Sequence, residues 1–234
     1  MSAVRPSTAR PSTARLTWVL LRKDLRIAAR SREVLGFMLL FALLCVIVFA
    51  FGFLREGQAA EAEVPGVLWV TLLFSGTVGL LRLFAAEDEG GTLEATLRSA
   101  RGSLPLFASK TLLQLLFSGI VTALLVPVVV VFFTARLQGL GWVALALALG
   151  LLGQALLGTL CAALLVHVRL REVLLPLVLY PLLAPVLIAG VQVTALAQQG
   201  ATADGLQGWL WLMLGFDVLI GVLAPWLHAR VTSP

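Results

Sequence analysis

Long apolar runs separated by short polar connections dominate this chain. Six of them, Val34–Leu54, Val64–Ala86, Thr111–Thr134, Gly141–Val166, Val173–Leu196 and Gly208–His228, reach the roughly 20 residues a helix needs to cross a bilayer core. The pattern predicts an all-α, polytopic membrane protein with six transmembrane helices. Ahead of the first span the period changes. In "RLTWVLLRKDLRIAARSRE", Trp18, Leu21, Leu25 and Ala28 recur at three- and four-residue steps, and Arg22, Arg26 and Arg30 recur every four residues on another face. Such a stripe predicts an amphipathic helix in the membrane interface over residues 15–33, apolar side in lipid and arginines at the headgroups. It reads either as a plain juxtamembrane anchor or as an anchor that also contacts a cytoplasmic partner.

Composition agrees with that pattern. Of the 234 residues 60% are hydrophobic and 12% charged, about half the charged share of soluble domains. Six spans leave no room for an independent soluble domain. Of the 17 Lys and Arg residues, eight precede the first span. Seven more lie in the second connection, the fourth connection and the tail, whereas Arg55 and Arg136 alone occupy odd-numbered connections. The positive-inside rule therefore places both termini in the cytoplasm. The formal net charge of +5 is a topology signal and does not suggest nucleic acid, since no basic run alternates with aromatics. The first apolar run has no small-residue cleavage site behind it, so the basic start is not read as a cleavable signal. Residues 1–14, carrying the tandem "RPSTARPSTAR", read as a disordered tail. Residues 34–228 form the six-span domain and 229–234 a cytoplasmic tail.

The outer connections are short. The inner one holds four of the twelve acids in eight residues: "FAAEDEGGTLEATLRSA" carries Glu87, Asp88, Glu89 and Glu94. Gly90 and Gly91 give backbone freedom where the chain leaves the second span. Thr92 is a candidate N-cap for a short helix, along which Leu93, Leu97 and Leu104 or Leu106 would pack. The fifth span, "REVLLPLVLYPLLAPVLIAG", holds Pro176, Pro181 and Pro185. Each proline removes a backbone donor, so a kinked or partly unwound helix facing protein or a cavity is expected.

Enzymatic chemistry is missing from this inventory. There is no GxxxxGK[ST] loop, no GxSxG and no HExxH. His167 and His228 are isolated and read as helix-end polar residues, Cys45 and Cys161 as small apolar ones. No metal or catalytic site is predicted. Asp217 is the one acid well inside a span, near mid-bilayer, where an ionised carboxylate costs at least about 2.5 kcal/mol. It must be protonated, paired or facing water, and a helix–helix hydrogen bond is the expected role.

"VLWVTLLFSGTVGLLRLFAAEDEGGTLEATL" resembles the CcmB family, the permease subunit of the cytochrome c biogenesis ABC complex called the haem exporter. The match rests on Trp69, Phe74, Gly79, Leu80, Arg82, Phe84, Glu87 and Gly91 to Glu94, closing with Lys110. The proline-rich fifth span and the "LLRKDLRIAARSRE" entry helix resemble the same family. One departure is that relatives place a proline shortly after "GTLE", where this chain reads "ATLRSARGS".

The resemblance implies a role for the acidic segment as a coupling helix seated in a partner ATPase, with Glu87, Gly91, Thr92, Leu93 and Glu94 as its core. Asp217, Pro176, Pro181 and Pro185 are then candidates for the moving transport core. It implies a CcmA-like ATPase that holds the ATP, CcmC- and CcmD-like membrane subunits, a CcmE-like haem chaperone and a second permease protomer. Haem is implied as possible cargo, with no cofactor bound by this chain, which would lie among the lipids of a bacterial inner membrane. Two alternatives are an ABC-2 type permease exporting a drug, lipid or polysaccharide, and a proton-coupled secondary transporter using Asp217.

Overall fold

A computed structural model describes residues 12–31, 33–55, 58–59, 61–82, 103–133, 135, 138–166 and 168–231. Seven α-helices carry these residues: α1 (Thr13–Ser31), α2 (Glu33–Gly52), α3 (Val64–Arg82), α4 (Ser103–Phe133), α5 (Leu140–Leu164), α6 (Arg171–Gln198) and α7 (Ala203–Val231). All but α1 are long and apolar enough to cross a membrane. The connection after α2 adds a two-residue antiparallel pair, β1 (Leu54–Arg55) and β2 (Gln58–Ala59), and a 3-10 turn at Glu61–Glu63.

The six expected spans are present, and the differences lie at their ends. Helix α4 begins at Ser103, eight residues before the expected start. Leu104 and Leu106 therefore belong to a span and not to a separate coupling helix. Pro105 explains why the helix tolerates this start: in a first turn its missing N–H has no intrahelical partner to lose. Helix α6 closes at Gly200, whose φ of 74° is left-handed backbone that favours glycine. The Gly200 and Ala201 amides donate to the Ala197 and Leu196 carbonyls at 3.1 and 3.0 Å, the paired bonds of a Schellman cap.

Helices α3 and α5 form the interior, with 72% and 67% of their spanning residues buried, against 22% for α2 and α7. Helix α3 contacts α2, α4, α5 and α6, while α5 packs on α4, α6 and α7. The outer helices turn large apolar side chains outward, as a lipid-facing surface requires. On α7, Trp211 and Trp226 are both exposed, fifteen residues or about 22 Å apart along the axis.

Helix α1 departs from its expectation in one respect. Leu20, Leu21, Leu25 and Ala28 pack against the protein core instead of lying in lipid, and Trp18 on the flank is 62% exposed. Helix α1 packs chiefly on α4. In the middle of that apolar face sits Asp24. Its Oδ2 lies 3.0 Å from Lys110 Nζ of α4, with both side chains buried, and its Oδ1 lies 3.4 Å from Lys23 Nζ.

Candidate functional site

The middle of α3, "WVTLLFSGTVG" from Trp69 to Gly79, mixes aromatic, hydroxyl and glycine residues within an apolar helix. Each of four neighbouring spans makes a specific polar contact with it. Toward α2, the Ser75 hydroxyl donates to the Met38 carbonyl at 3.0 Å. From α4, the Gln114 amide donates to the Gly76 carbonyl at 2.9 Å and to Ser118 Oγ at 3.0 Å. From α5, Gln154 donates to the Leu73 carbonyl at 3.0 Å. Toward α6, Trp69 Nε1 donates to Thr194 Oγ1 at 2.9 Å, and that hydroxyl donates on to the Gly190 carbonyl at 2.8 Å.

All four bonds converge on two turns, Trp69 to Gly76, or about 10 Å of axis at 1.5 Å per residue. Interhelical hydrogen bonds in membranes average only about 0.6 kcal/mol. Their weight here lies in register: each fixes one helix against α3 at one height.

Glycines supply the matching shape. The Trp69 indole is held between α5 and α6, and a Cβ at either Gly150 or Gly190 would collide with its ring. Gly158 on α5 seats Leu80 in the same way, and Gly76 on α3 seats the Gln154 amide. A shallow apolar crevice, lined by Trp69, Gly150, Gln154 and Leu183 among others, lies beside this joint. At Arg82, the last described residue of α3, the guanidinium lies 5.9 Å from the Phe37 ring centroid of α2. Further out, Phe74 meets Tyr180 of α6 at 5.6 Å between centroids.

The structure treats the residues expected from sequence unevenly. Glu87, Gly91, Thr92, Leu93 and Glu94 lie outside the described residues, as does His167. Asp217 is buried on α7, 4% exposed, six residues past Trp211. It faces Gly153 of α5, where an added Cβ would stand 2.6 Å from Oδ1. Neither carboxyl oxygen has a hydrogen-bond partner among the described residues, so the expected helix–helix bond is not formed.

The three prolines lie within an unbroken α6, which is not unwound. Pro181 and Pro185 are exposed, opposite the buried stripe of Leu179, Leu183, Val186 and Gly190. They face outward because there the ring meets no neighbouring helix. Each still leaves one carbonyl without its intrahelical donor, at Leu177 and Pro181. The residues that hold the bundle together, Gln114, Gln154, Thr194 and Asp24, were not picked out from sequence. Gln114 and Gln154 carried the same signal as Asp217, an isolated polar side chain inside a span.

Comparison with known proteins decides the family. The family model described as "CcmB protein" matches residues 15–232. The chain belongs to the CcmB family. It is 34% identical to the "Heme exporter protein B" of Paracoccus denitrificans over 153 residues, 64% of this chain and 69% of that protein. Similarity to the same-named proteins of Rhodobacter capsulatus (29% over 150 residues, 64% and 69% of the two chains) and Pseudomonas aeruginosa (30% over 151 residues, 64% and 68%) is comparable. Six apolar helices and membership of the CcmB family make this a multi-pass protein of a bacterial inner membrane.

Proposed function

We propose that this CcmB-family chain is the permease subunit of an ATP-driven complex for cytochrome c maturation. On this reading ATP is hydrolysed in a separate CcmA-like subunit, and the chain turns that subunit's closure into movement of its spans. The product is either haem moved outward or the haem-loaded, CcmE-like chaperone set free. CcmC- and CcmD-like subunits and a second copy of this chain complete the assembly. The names of the similar proteins support haem as the cargo.

One observation carries the mechanical part. Helix α3 is bonded to α2, α4, α5 and α6 within two turns, and it runs at Arg82 directly into residues 83–102, the segment with the acidic cluster and "GTLE". A displacement applied to that segment acts on both helices it joins, α3 and α4. Through α3 it reaches every span that α3 holds in register. Glu87 and Glu94 provide charge for a basic cleft on the ATPase, while Gly91, Thr92 and Leu93 shape the turn and its seat.

The test is to purify the chain with its candidate ATPase and reverse the two charges, Glu87→Lys and Glu94→Lys. Association with the ATPase and cytochrome c maturation should both be lost while the chain still accumulates in the membrane. If both survive the reversal, the segment is not the coupling element.

A further inference from the structure

Helix α1 meets α4 through leucines, and apolar contacts of that kind are non-directional; a helix lying in the interface can roll or slide on them. Asp24 sits in the middle of this contact, where another leucine would pack. A buried carboxylate is tolerated only when paired, and Lys110 supplies the pair across the interface at 3.0 Å, with Lys23 on the other oxygen at 3.4 Å. Unlike the leucines, the pair fixes one height and one rotation of α1. Lys110 also lies only seven residues, about 10 Å, from the start of α4, where the chain emerges from residues 83–102.

We propose that Asp24 and Lys110 form a latch that positions α1 on the inner end of α4, so that the interface helix moves as one body with the exit of the coupling segment. This rests on the coupling reading above and adds two positioning residues to it. Neither touches cargo or nucleotide; they act by holding α1 where a stroke of α4 carries it along the headgroups. Arg15, Arg22 and Arg26 on the outward face of α1 then give the moving unit its grip on the membrane surface.

The experiment uses the full chain with its candidate ATPase, in a background with Cys45→Ala and Cys161→Ala. Spin labels at Val19→Cys on α1 and Leu116→Cys on α4, both exposed in the parent, report the α1–α4 distance. The parent should give one narrow distance. Asp24→Asn should broaden it and lower maturation about tenfold while ATP turnover stays within about twofold, and the exchange Asp24→Lys with Lys110→Asp should recover part of both losses, as coupled neighbours do. If Asp24→Asn fails to accumulate, Lys110→Met supplies the same readouts, since Asp24 keeps Lys23.

A narrow distance with full maturation in either single variant overturns the latch. So does a charge exchange no better than the singles. If the parent chain itself fails to bind the ATPase, the coupling reading falls, and label distance and maturation still decide whether the pair holds α1 in its working position.

Discussion

Individual residues in this bundle are legible as pairs of a large group and the glycine that admits it. Trp69 fills the space left by Gly150 and Gly190, so Gly150→Ala forces the ring or the helix to move, and overpacking of this kind destabilises by about 1–3 kcal/mol. Gly119 on α4 has open space where its Cβ would be, so Gly119→Ala should be neutral or stabilising by up to about 1 kcal/mol through helix propensity. Thermal unfolding of the purified chain in detergent should show Gly150→Ala melting below the parent and Gly119→Ala at or above it. Equal shifts would mean that the indole slot is not tightly packed. Asp217 sets a second test. Its carboxyl makes no hydrogen bond that a neutral amide of the same size would lose, so Asp217→Asn should assemble normally and keep maturation within about twofold, as expected where no named interaction is removed. Loss of maturation with normal assembly would instead give this acid a role in the transport cycle, as a proton-coupled mechanism requires.

At the scale of helices, Pro181 and Pro185 raise a question about motion. Proline in a helix interior costs about 3 kcal/mol relative to alanine, and neither ring is needed to fill the core. Pro185→Ala restores the donor to the Pro181 carbonyl and should raise the melting temperature. If the weak point serves the moving core, the same change should lower maturation with assembly intact; unchanged maturation would remove α6 bending from the mechanism. The helices themselves were readable in the sequence because an apolar run of bilayer length has few other uses. What the pattern misplaced were ends and faces. Ser103–Lys110 reads as loop because it carries Ser109 and Lys110, yet tertiary packing buries both and the helix continues through them. The α1 stripe was correct in period, but hydropathy alone cannot tell whether an apolar face meets lipid or protein. The glutamines that bind α3 were overlooked for a related reason: a lone amide in a span is readable as polar, while its partner is a backbone carbonyl with no sequence signature at all.

For the molecule as a whole, the arrangement works only if the segment between α3 and α4 faces the cytoplasm, because the proposed ATPase can reach it nowhere else. Charge counts predict this side, and the fold adds a consequence that can be measured. Six antiparallel spans put Gln138, between α4 and α5, on the opposite side from Arg169, between α5 and α6, and both connections are exposed. With Cys45 and Cys161 replaced by alanine, Gln138→Cys should react with a membrane-impermeant maleimide applied to the outer face of the inner membrane in spheroplasts. Arg169→Cys and Arg98→Cys should react only after the membrane is opened. Reversed labelling would put the acidic segment outside and leave the central helix with no motor to follow. The expected pattern would confine any ATP-dependent pull to the inner ends of α3 and α4, so that the stroke enters the bundle at Arg82 and Lys110 and is shared among the other spans at the level of Trp69 to Gly76.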